Sequence, residues 1–248
     1  MRLDPSAVPS AIAARGAGAR PSVSLCLVSY NSVSRKQLSR EVIEALGEFV
    51  AQFPAEVVIV DNASTDDSAT LLGSWAEPFA GLVVTSVQPA IPIVDATALA
   101  AAKAKGDHLF LLDPDEAMEA LRLPELLEAR RGVQVVHGVR SRPAIGWRGV
   151  ESALFNLWCR ATGFRMRDFG HHHYLLERST FGLLVDLVQR HGLPAHAFAI
   201  ELLRLSFREV EVSERPRGES SYSRWARFQR GAGACLACLR VRRLRRRG

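Results

Sequence analysis

Cysteine and long apolar runs are both scarce in this 248-residue chain. Its four cysteines are too few and too scattered for a disulfide framework, so we expect a reducing compartment. Cys235 and Cys238 have the spacing of a metal or redox pair, but no second pair accompanies them. We therefore expect them to fill apolar space. No stretch reaches the roughly eighteen apolar residues that a membrane-spanning helix needs, so the sequence predicts none.

The first twenty residues are rich in Ala, Pro, Arg and Gly. They lack the continuous apolar core of a secretory signal, so we expect residues 1–21 to form a disordered lead-in. The folded part is expected over residues 22–230, followed by a basic tail over residues 231–248. With neither a signal nor a membrane span, the expected location is the cytoplasm.

Positive charge is concentrated at the C-terminus. The formal net charge is +6, and six arginines lie within residues 240–248, so the rest of the chain is formally neutral. A neutral body argues against a nucleic-acid-binding surface over the fold. The basic tail is interpreted either as a contact with anionic lipid headgroups or as a solvated end.

Strand and helix patterns alternate along the chain. The predicted strands are residues 23–29, 57–61, 82–87, 108–112, 133–138 and 207–212. Runs that are wholly apolar, such as 57–60, are typical of parallel sheets covered on both faces. Helical spacing between the strands then predicts an α/β fold with a doubly wound, mostly parallel sheet.

Two carboxylates one residue apart, Asp113 and Asp115, follow the apolar strand 108–112. Such a pair at the end of a buried strand is costly unless a positive group lies between the carboxylates. A divalent cation carrying a diphosphate would fit, because ligands of open α/β sheets bind at strand ends. The alternative is a helix start in which Asp115 is the cap.

Four segments, in this order, resemble the family-2 glycosyltransferases. They are Val28-Ser29-Tyr30-Asn31, the run Ile59 to Asp66, Gly106-Asp107 with Leu112-Asp113-Pro114-Asp115, and Gly138-Val139-Arg140. The resemblance implies a GT-A fold, with a Rossmann-like nucleotide-sugar half over residues 22–140 and an acceptor half over 141–230. It also implies transfer of a sugar from a nucleotide diphosphate, with inversion at the anomeric carbon.

The second half resembles the polyprenyl- and dolichol-phosphate sugar transferase branch. The matching parts are Asp168 with Arg178, Glu201-Leu202-Leu203, residues 207–212, and the run Arg215 to Tyr222. The implied acceptor is a polyprenyl phosphate. The implied place of action is the inner membrane face, where the protein would be peripheral and contact the surface through its arginine tail.

The resemblance also assigns individual residues. Asp113 and Asp115 would hold Mg²⁺ or Mn²⁺, and Asp115 and Asp168 would be catalytic. The residues assigned to the nucleotide sugar are Ser29, Tyr30, Asn31, Asp61, Asn62, Ser64 and Asp113. The residues assigned to phosphate or acceptor are Arg140, Arg178, Arg215, Arg217 and Ser220.

Further assignments have structural alternatives, and for Arg215 the alternative is a solvated loop. Asp61 would accept a ring N–H of uracil or guanine, or else Asp61, Ser64 and Asp66 cap the following helix. Asp168 would orient or deprotonate the acceptor, or else it is a buried partner of Arg165 or Arg178. An acceptor phosphate is already anionic, so positioning and electrostatics would matter more than a strong base.

The triplet His171-His172-His173 suggests zinc. Three adjacent side chains cannot all point one way on a strand or a helix, so zinc is disfavoured. We expect one of these histidines to line the acceptor pocket.

The segment 89–97 lacks the glycine and lysine that the family usually has there. Two further functions therefore stay open: transfer to a glycan hydroxyl, and a non-catalytic relative that binds a nucleotide or a partner protein.

Overall fold

The computed structural model describes residues 21–140, 147–169, 171–212 and 224–246, with backbone alone at 147–148 and 224–230. Residues 1–20 of the expected lead-in lie outside this range. The strands are β1 Val23–Ser29, β2 Ala55–Asn62, β3 Leu82–Val87, β4 His108–Leu112, β5 Val135–Arg140, β6 Tyr174–Glu177 and β7 Phe207–Val212. The α-helices are α1 Arg40–Gln52, α2 Ser68–Ala76, α3 Ile93–Lys103, α4 Leu123–Ala129, α5 Trp147–Ala161, α6 Arg178–His191, α7 His196–Leu202 and α8 Arg224–Arg245. A 3₁₀ helix covers Pro114–Arg122.

All seven strands join one sheet in the order β3-β2-β1-β4-β6-β5-β7. Strands β1 to β4 are parallel. Strands β1, β2 and β4 are mostly buried, whereas the edge strand β3 is partly exposed. Leu25 and Leu27 enter the core under α1, α2 and the 3₁₀ helix. Cys26 enters the opposite core under α3, α6 and α7. The predicted mostly parallel α/β sheet with helices on both faces is confirmed.

Strand β6 is the element that the sequence pattern did not reveal. It has four residues, too few for a periodic signal. It runs antiparallel to both neighbours, between β4 and β5, and Leu111 lies opposite Tyr174. Because β6 runs against β4, the residues just before Tyr174 lie beyond the carboxyl end of β4. The histidine triplet is thereby brought beside the Asp113 turn.

The helical segment that follows Asp113 is divided. The 3₁₀ helix ends at Arg122 and α4 begins at Leu123, so Pro124 lies in the first turn of α4. Proline is tolerated there because the first N–H groups of a helix have no partner within it.

Helix α8 extends into the segment expected to form the basic tail. It runs through residue 231, where the tail was predicted to begin, and it buries Ala237, Cys238 and Val241 in the core. The predicted domain boundary therefore falls inside a helix. Among the residues that the structure describes, no helix has both the length and the apolar character needed to cross a membrane.

Glu201 of α7 connects α8 to the core. Its carboxylate is fully buried and accepts hydrogen bonds from the backbone N–H of Arg165 at 2.6 Å and of Met166 at 3.0 Å. The Arg245 guanidinium of α8 donates to the same carboxylate at 2.8 Å. Bonds to a buried charge are stronger than neutral ones, so this residue stabilises the docking of α8.

We expect Glu201→Gln to lower the free energy of unfolding by about 2 kcal/mol, because the bonds that remain lose the charge that strengthens them. Urea denaturation of the full chain measures this loss. The exposed Glu48 provides the matched control, and Glu48→Gln should change stability by less than about 0.5 kcal/mol. Equal stability of the two variants would show that Glu201 does not anchor α8.

Candidate functional site

Of the described residues that the sequence predicts to be functional, all but Arg178 lie at or near the carboxyl ends of the parallel strands. Ser29 pairs with Asp61, and Leu27 pairs with Leu112, so β1, β2 and β4 end side by side. Strand β5 is antiparallel to β6, which is antiparallel to β4, so Arg140 at the end of β5 lies on the same side. We call residues 29–31, 61–65 and 113–115 the carboxyl edge. Ligands of open α/β sheets bind at such an edge.

The loops after β1 and β2 are tied together through Asn31. Its backbone N–H donates to Ser64 Oγ at 2.8 Å, and its Oδ1 accepts from the backbone N–H of Thr65 at 2.8 Å. Asn31 has a φ of 51°, a left-handed conformation that asparagine adopts more readily than most residues. Asn31 and Ser64 therefore position the loops themselves, and Tyr30 beside them is 39% exposed.

Three of the residues assigned to the nucleotide sugar are engaged in internal hydrogen bonds. Asp61 is 1% exposed and accepts from the Ser64 backbone N–H at 3.1 Å and from Ser64 Oγ at 2.5 Å. Ser29 is fully buried, with its Oγ 2.8 Å from Ser32 Oγ. Asp61 therefore closes the turn over residues 61–64, and it does not cap α2, which begins at Ser68. Its contact with a base remains a prediction.

Asn62 holds the segment that departs from the family pattern. Its Nδ2 donates to the carbonyl of Ile91 at 2.9 Å, and its Oδ1 accepts from the N–H of Ile91 at 2.9 Å. Both polar ends of the amide therefore face protein backbone. The Asn62 side chain therefore positions the Ile91 segment, and its contact with the nucleotide remains a prediction.

Asp113 and Asp115 flank the start of the 3₁₀ helix. Asp113 is in extended conformation directly after β4, Pro114 is the first helical residue, and Asp115 lies in the first turn. Asp113 and Asp115 are both partly exposed, unlike the buried residues 109–112 that precede them. Carboxylate oxygens are the ligands that Mg²⁺ and Mn²⁺ prefer, so the pair suits a hard divalent ion.

Asp168 and Arg140, which the sequence assigned to separate roles, form a pair. Arg140 Nε donates to Asp168 Oδ2 at 2.5 Å and Nη2 donates to Oδ1 at 2.5 Å. The Arg140 side chain is 12% exposed and the Asp168 side chain is 11% exposed. Burial by itself raises the pKa of Asp168, but the hydrogen bonds and charge of Arg140 outweigh it and lower the pKa. The buried partner is thus Arg140, not Arg165 or Arg178.

An open cleft of about 470 Å³ lies against this pair. Helix α5 forms one wall with Ser152, Asn156, Leu157 and Arg160. Arg140, Arg167 and Asp168 line the other side. We call it the Arg140 cleft. It combines several guanidinium groups with an exposed apolar side chain, which suits a ligand that is anionic at one end and apolar at the other.

Arg178 lies at the opposite end of the sheet from the carboxyl edge. Its guanidinium donates to the carbonyl of Gly106 at 2.9 and 2.6 Å and to the carbonyl of Ala101 at 2.8 Å. The prediction that Arg178 binds phosphate is wrong, because β6 runs antiparallel and carries it away from the edge. Arg215, Arg217 and Ser220 lie outside the described residues, so their assignment remains a prediction.

A buried cluster that the sequence analysis did not anticipate lies beside the 3₁₀ helix. Glu116, His171 and His173 each offer a ligand atom, and the three atoms lie within 4.8 Å of one another. His171 Nε2 is 2.6 Å from Glu116 Oε1, and His171 Nδ1 is 2.7 Å from the carbonyl of Gly138. We call these three residues the buried histidine cluster.

The charges within this cluster depend on one another. Burial raises the pKa of Glu116, but the hydrogen bond to His171 and the proximity of His173 outweigh that and hold the pKa far below its ordinary value. Burial lowers the pKa of His171, yet the bond to Glu116 outweighs it and raises the pKa. Burial lowers the pKa of His173. These shifts favour the charged forms of Glu116 and His171 and the uncharged form of His173.

None of the three histidines is among the residues that line the Arg140 cleft, and the expectation that one of them lines the acceptor pocket remains a prediction. Three adjacent residues indeed do not share a face, but residues two apart in an extended segment do. His171 and His173 therefore point to one side, where Glu116 comes from a distant part of the sequence. The order of residues within the triplet carries no information about Glu116, which is distant in sequence.

Comparisons with known proteins agree with this arrangement. Residues 24–181 match the model of the family described as glycosyl transferase family 2. A curated undecaprenyl-phosphate 4-deoxy-4-formamido-L-arabinose transferase from Pseudomonas aeruginosa (strain LESB58) is 32% identical over 209 residues. That match covers 81% of this chain and 60% of the relative. The protein of the same name from Sodalis glossinidius is 29% identical, and 63% of it is covered. This chain thus spans about three fifths of the length of these relatives.

Solved structures show the same fold at low sequence identity. Mannosyl-3-phosphoglycerate synthase from Rubrobacter xylanophilus has a TM-score of 0.61 and 20% identity, with 92% of this chain and 75% of that chain covered. Glucosyl-3-phosphoglycerate synthase from Mycobacterium tuberculosis, in complex with Mn²⁺, uridine diphosphate and glucosyl-3-phosphoglycerate, has a TM-score of 0.61 and 17% identity. That match covers 90% of this chain and 80% of that chain. The predicted GT-A fold is confirmed, and the chain belongs to glycosyl transferase family 2.

Proposed function

We propose that this chain transfers a sugar from a nucleotide-diphosphate sugar to a polyprenyl phosphate. The observation that carries the proposal is the arrangement at the carboxyl edge: two partly exposed aspartates lie beside the loops of Tyr30 and Ser64. The Arg140 cleft lies at the end of a strand on the same side. The names of the relatives support a lipid-phosphate acceptor.

Asp113 and Asp115 are the residues that would hold Mg²⁺ or Mn²⁺. When bound, the ion supplies positive charge against the departing nucleotide diphosphate. The glucosyl-3-phosphoglycerate synthase of the same fold was solved with Mn²⁺ and uridine diphosphate, which supports this choice of ion class. Tyr30 offers an exposed ring on the same edge, where a nucleotide base would stack.

The Asp168–Arg140 pair favours an acceptor that is already charged. Since Arg140 lowers the pKa of Asp168, this carboxylate is a weak base at neutral pH. An acceptor phosphate oxygen is anionic without deprotonation, so it needs orientation more than a base. The guanidinium groups of the Arg140 cleft would hold that phosphate while its oxygen attacks the anomeric carbon opposite the leaving group.

A transfer assay tests the proposal. The full chain is incubated with uridine- and guanosine-diphosphate sugars, a short polyprenyl phosphate and Mn²⁺, and the lipid-linked sugar is measured. We expect the lipid product, and none without the divalent ion. Turnover with glycan hydroxyls alone would establish the glycan-acceptor alternative. Nucleotide binding without turnover would establish the non-catalytic alternative, which the departure at residues 89–97 favours.

Exposed leucines and arginines on α5 and α8 support contact with a membrane surface. Leu154 of α5 is 62% exposed and Leu236 of α8 is 67% exposed. The two helices contact each other, since Trp158 Nε1 donates to the carbonyl of Cys235 at 3.4 Å. Arginines along the exposed side of α8 add attraction to anionic headgroups. A peripheral position at an anionic membrane would bring the Arg140 cleft close to its lipid acceptor.

We expect the double variant Leu154→Asp, Leu236→Asp to bind vesicles containing anionic lipid at least about tenfold more weakly, because each leucine contributes about 1.5–3 kcal/mol when buried. Vesicle flotation measures this. Leu183→Asp is the control, since Leu183 is 58% exposed but lies on α6. If the control weakens binding as much as the double variant, the contact does not involve α5 and α8.

A further inference from the structure

We propose that Glu116, His171 and His173 form a binding site for a transition-metal ion of the Zn²⁺ class. This site shares no ligand with the hard-ion site proposed at Asp113 and Asp115. It goes beyond the proposed transferase function, which does not require it.

Geometry brings the three side chains together from two parts of the fold. His171 and His173 precede β6, and Glu116 belongs to the 3₁₀ helix. The three residues are between 0% and 5% exposed. Phe110 packs edge-on against the His173 ring with ring centroids 4.9 Å apart. A Cβ at Gly138 would overlap that ring, so glycine at this position leaves the space that His173 occupies.

The hydrogen bond of His171 fixes which nitrogen faces the cluster. The Gly138 carbonyl only accepts, so Nδ1 of His171 carries a proton. Its Nε2 then faces Glu116 Oε1 at 2.6 Å. Two atoms that both present lone pairs do not approach so closely unless a proton or a cation lies between them. A backbone carbonyl behind the ligating ring is the usual outer partner of a metal-bound histidine.

His173 gives an independent indication. Both of its ring nitrogens are buried and neither makes a hydrogen bond with the described part of the protein. Buried polar atoms without partners are destabilising. Its Nδ1 lies 3.7 Å from Glu116 Oε2, and an ion between them would satisfy that nitrogen.

The ligand set selects the class of ion. Two imidazoles and one carboxylate suit Zn²⁺ and neighbouring transition metals, whereas Mg²⁺ prefers oxygen ligands alone. Zn²⁺ bonds of about 2.0–2.2 Å place tetrahedral ligand atoms roughly 3.3 Å apart. The contact between Glu116 and His171 would open by less than about 1 Å, and that between Glu116 and His173 would shorten slightly. The alternative explanation of the short contact is a metal-free state, in which a proton on His171 lies where the ion would be.

Metal binding by the full chain tests the proposal. Bound metal is first removed from the protein with a chelator. The protein is then titrated with Zn²⁺ in competition with a chromophoric chelator. Excess Mg²⁺ is present throughout so that the hard-ion site is saturated. We expect one Zn²⁺ per chain and a rise in Tm. Co²⁺ in place of Zn²⁺ should give the visible absorption of a low-coordinate nitrogen and oxygen site. Failure of the wild-type chain to bind Zn²⁺ would overturn the proposal without any variant.

Variants then locate the ion. His173→Gln should weaken Zn²⁺ binding by more than the 10–100-fold typical of losing an outer partner. His172→Gln is the matched control from the same triplet and should bind like the wild type, as should Asp115→Asn. If His173→Gln does not fold, as judged by circular dichroism, Glu116→Gln replaces it with the same expectation. Loss of Zn²⁺ in Asp115→Asn, or its retention when a cluster ligand is replaced, would contradict the assignment. Transferase activity enters none of these measurements.

Discussion

Asp115→Asn is expected to lower sugar transfer by at least about 10³-fold. The ion held by Asp113 and Asp115 would stabilise the charge on the leaving diphosphate by several kcal/mol, and each 1.36 kcal/mol is a factor of ten in rate. Initial rates of nucleotide-diphosphate release at saturating Mn²⁺ measure the effect.

The matched control for Asp115 is Asp107, at the other end of the same strand. Asp107 is exposed and precedes β4, whereas Asp115 follows it. Asp107→Asn should retain transfer within about twofold, on the order of 0.4 kcal/mol in barrier. Full transfer by Asp115→Asn would refute the metal assignment. Equal loss in both variants would point to a general defect of the fold.

Asp168→Ala is expected to lower the free energy of unfolding at neutral pH by about 3–5 kcal/mol. It leaves the Arg140 guanidinium, 12% exposed, without its carboxylate partner, and an uncompensated buried charge is strongly destabilising. Urea denaturation at neutral pH measures this loss.

The same pair gives stability a specific pH dependence. Arg140 lowers the pKa of Asp168 in the folded state, despite the opposing effect of burial. The stabilisation is therefore fully present above the unfolded pKa of about 3.9, and it is lost as pH falls through the lower folded pKa. We expect the wild type to lose this contribution below about pH 4, and Asp168→Ala to lack that part of the acid dependence.

A double variant separates structure from function at this pair. Arg140→Met with Asp168→Leu replaces a buried ion pair by apolar side chains of similar size, a change that is often neutral for stability. It should recover most of the stability that Asp168→Ala loses but not the transfer to lipid phosphate. Recovery of transfer together with stability would show that the pair only supports the fold.

Much of the sheet was predictable because its signal is local. Runs such as residues 57–60 are apolar on both faces, a pattern of central parallel strands. Strand β6 was missed since its four residues depend on pairing with β4 and β5 for their conformation. The C-terminal boundary depends on packing as well as charge. The arginines indicate a basic end, but Ala237, Cys238 and Val241 are spaced for one buried helical face.

The site was predictable in position but less so in detail. The order of the parallel strands is enough to place Asp113, Tyr30 and Ser64 near one another. The partners of individual side chains depend on contacts distant in sequence: Arg140 with Asp168, and Asn62 with the backbone of Ile91. Arg178 was misplaced because its position follows from the antiparallel direction of β6, which the pattern did not contain.

The most direct test of the central claim measures nucleotide binding through the ion at the carboxyl edge. Thermal unfolding of the full chain is followed with a panel of nucleotide-diphosphate sugars, each with and without Mn²⁺, for the wild type and Asp115→Asn. We predict that one nucleotide sugar raises the Tm of the wild type only when Mn²⁺ is present, and that Asp115→Asn abolishes this shift. An equal shift in both proteins, or one that does not need the ion, would contradict the account.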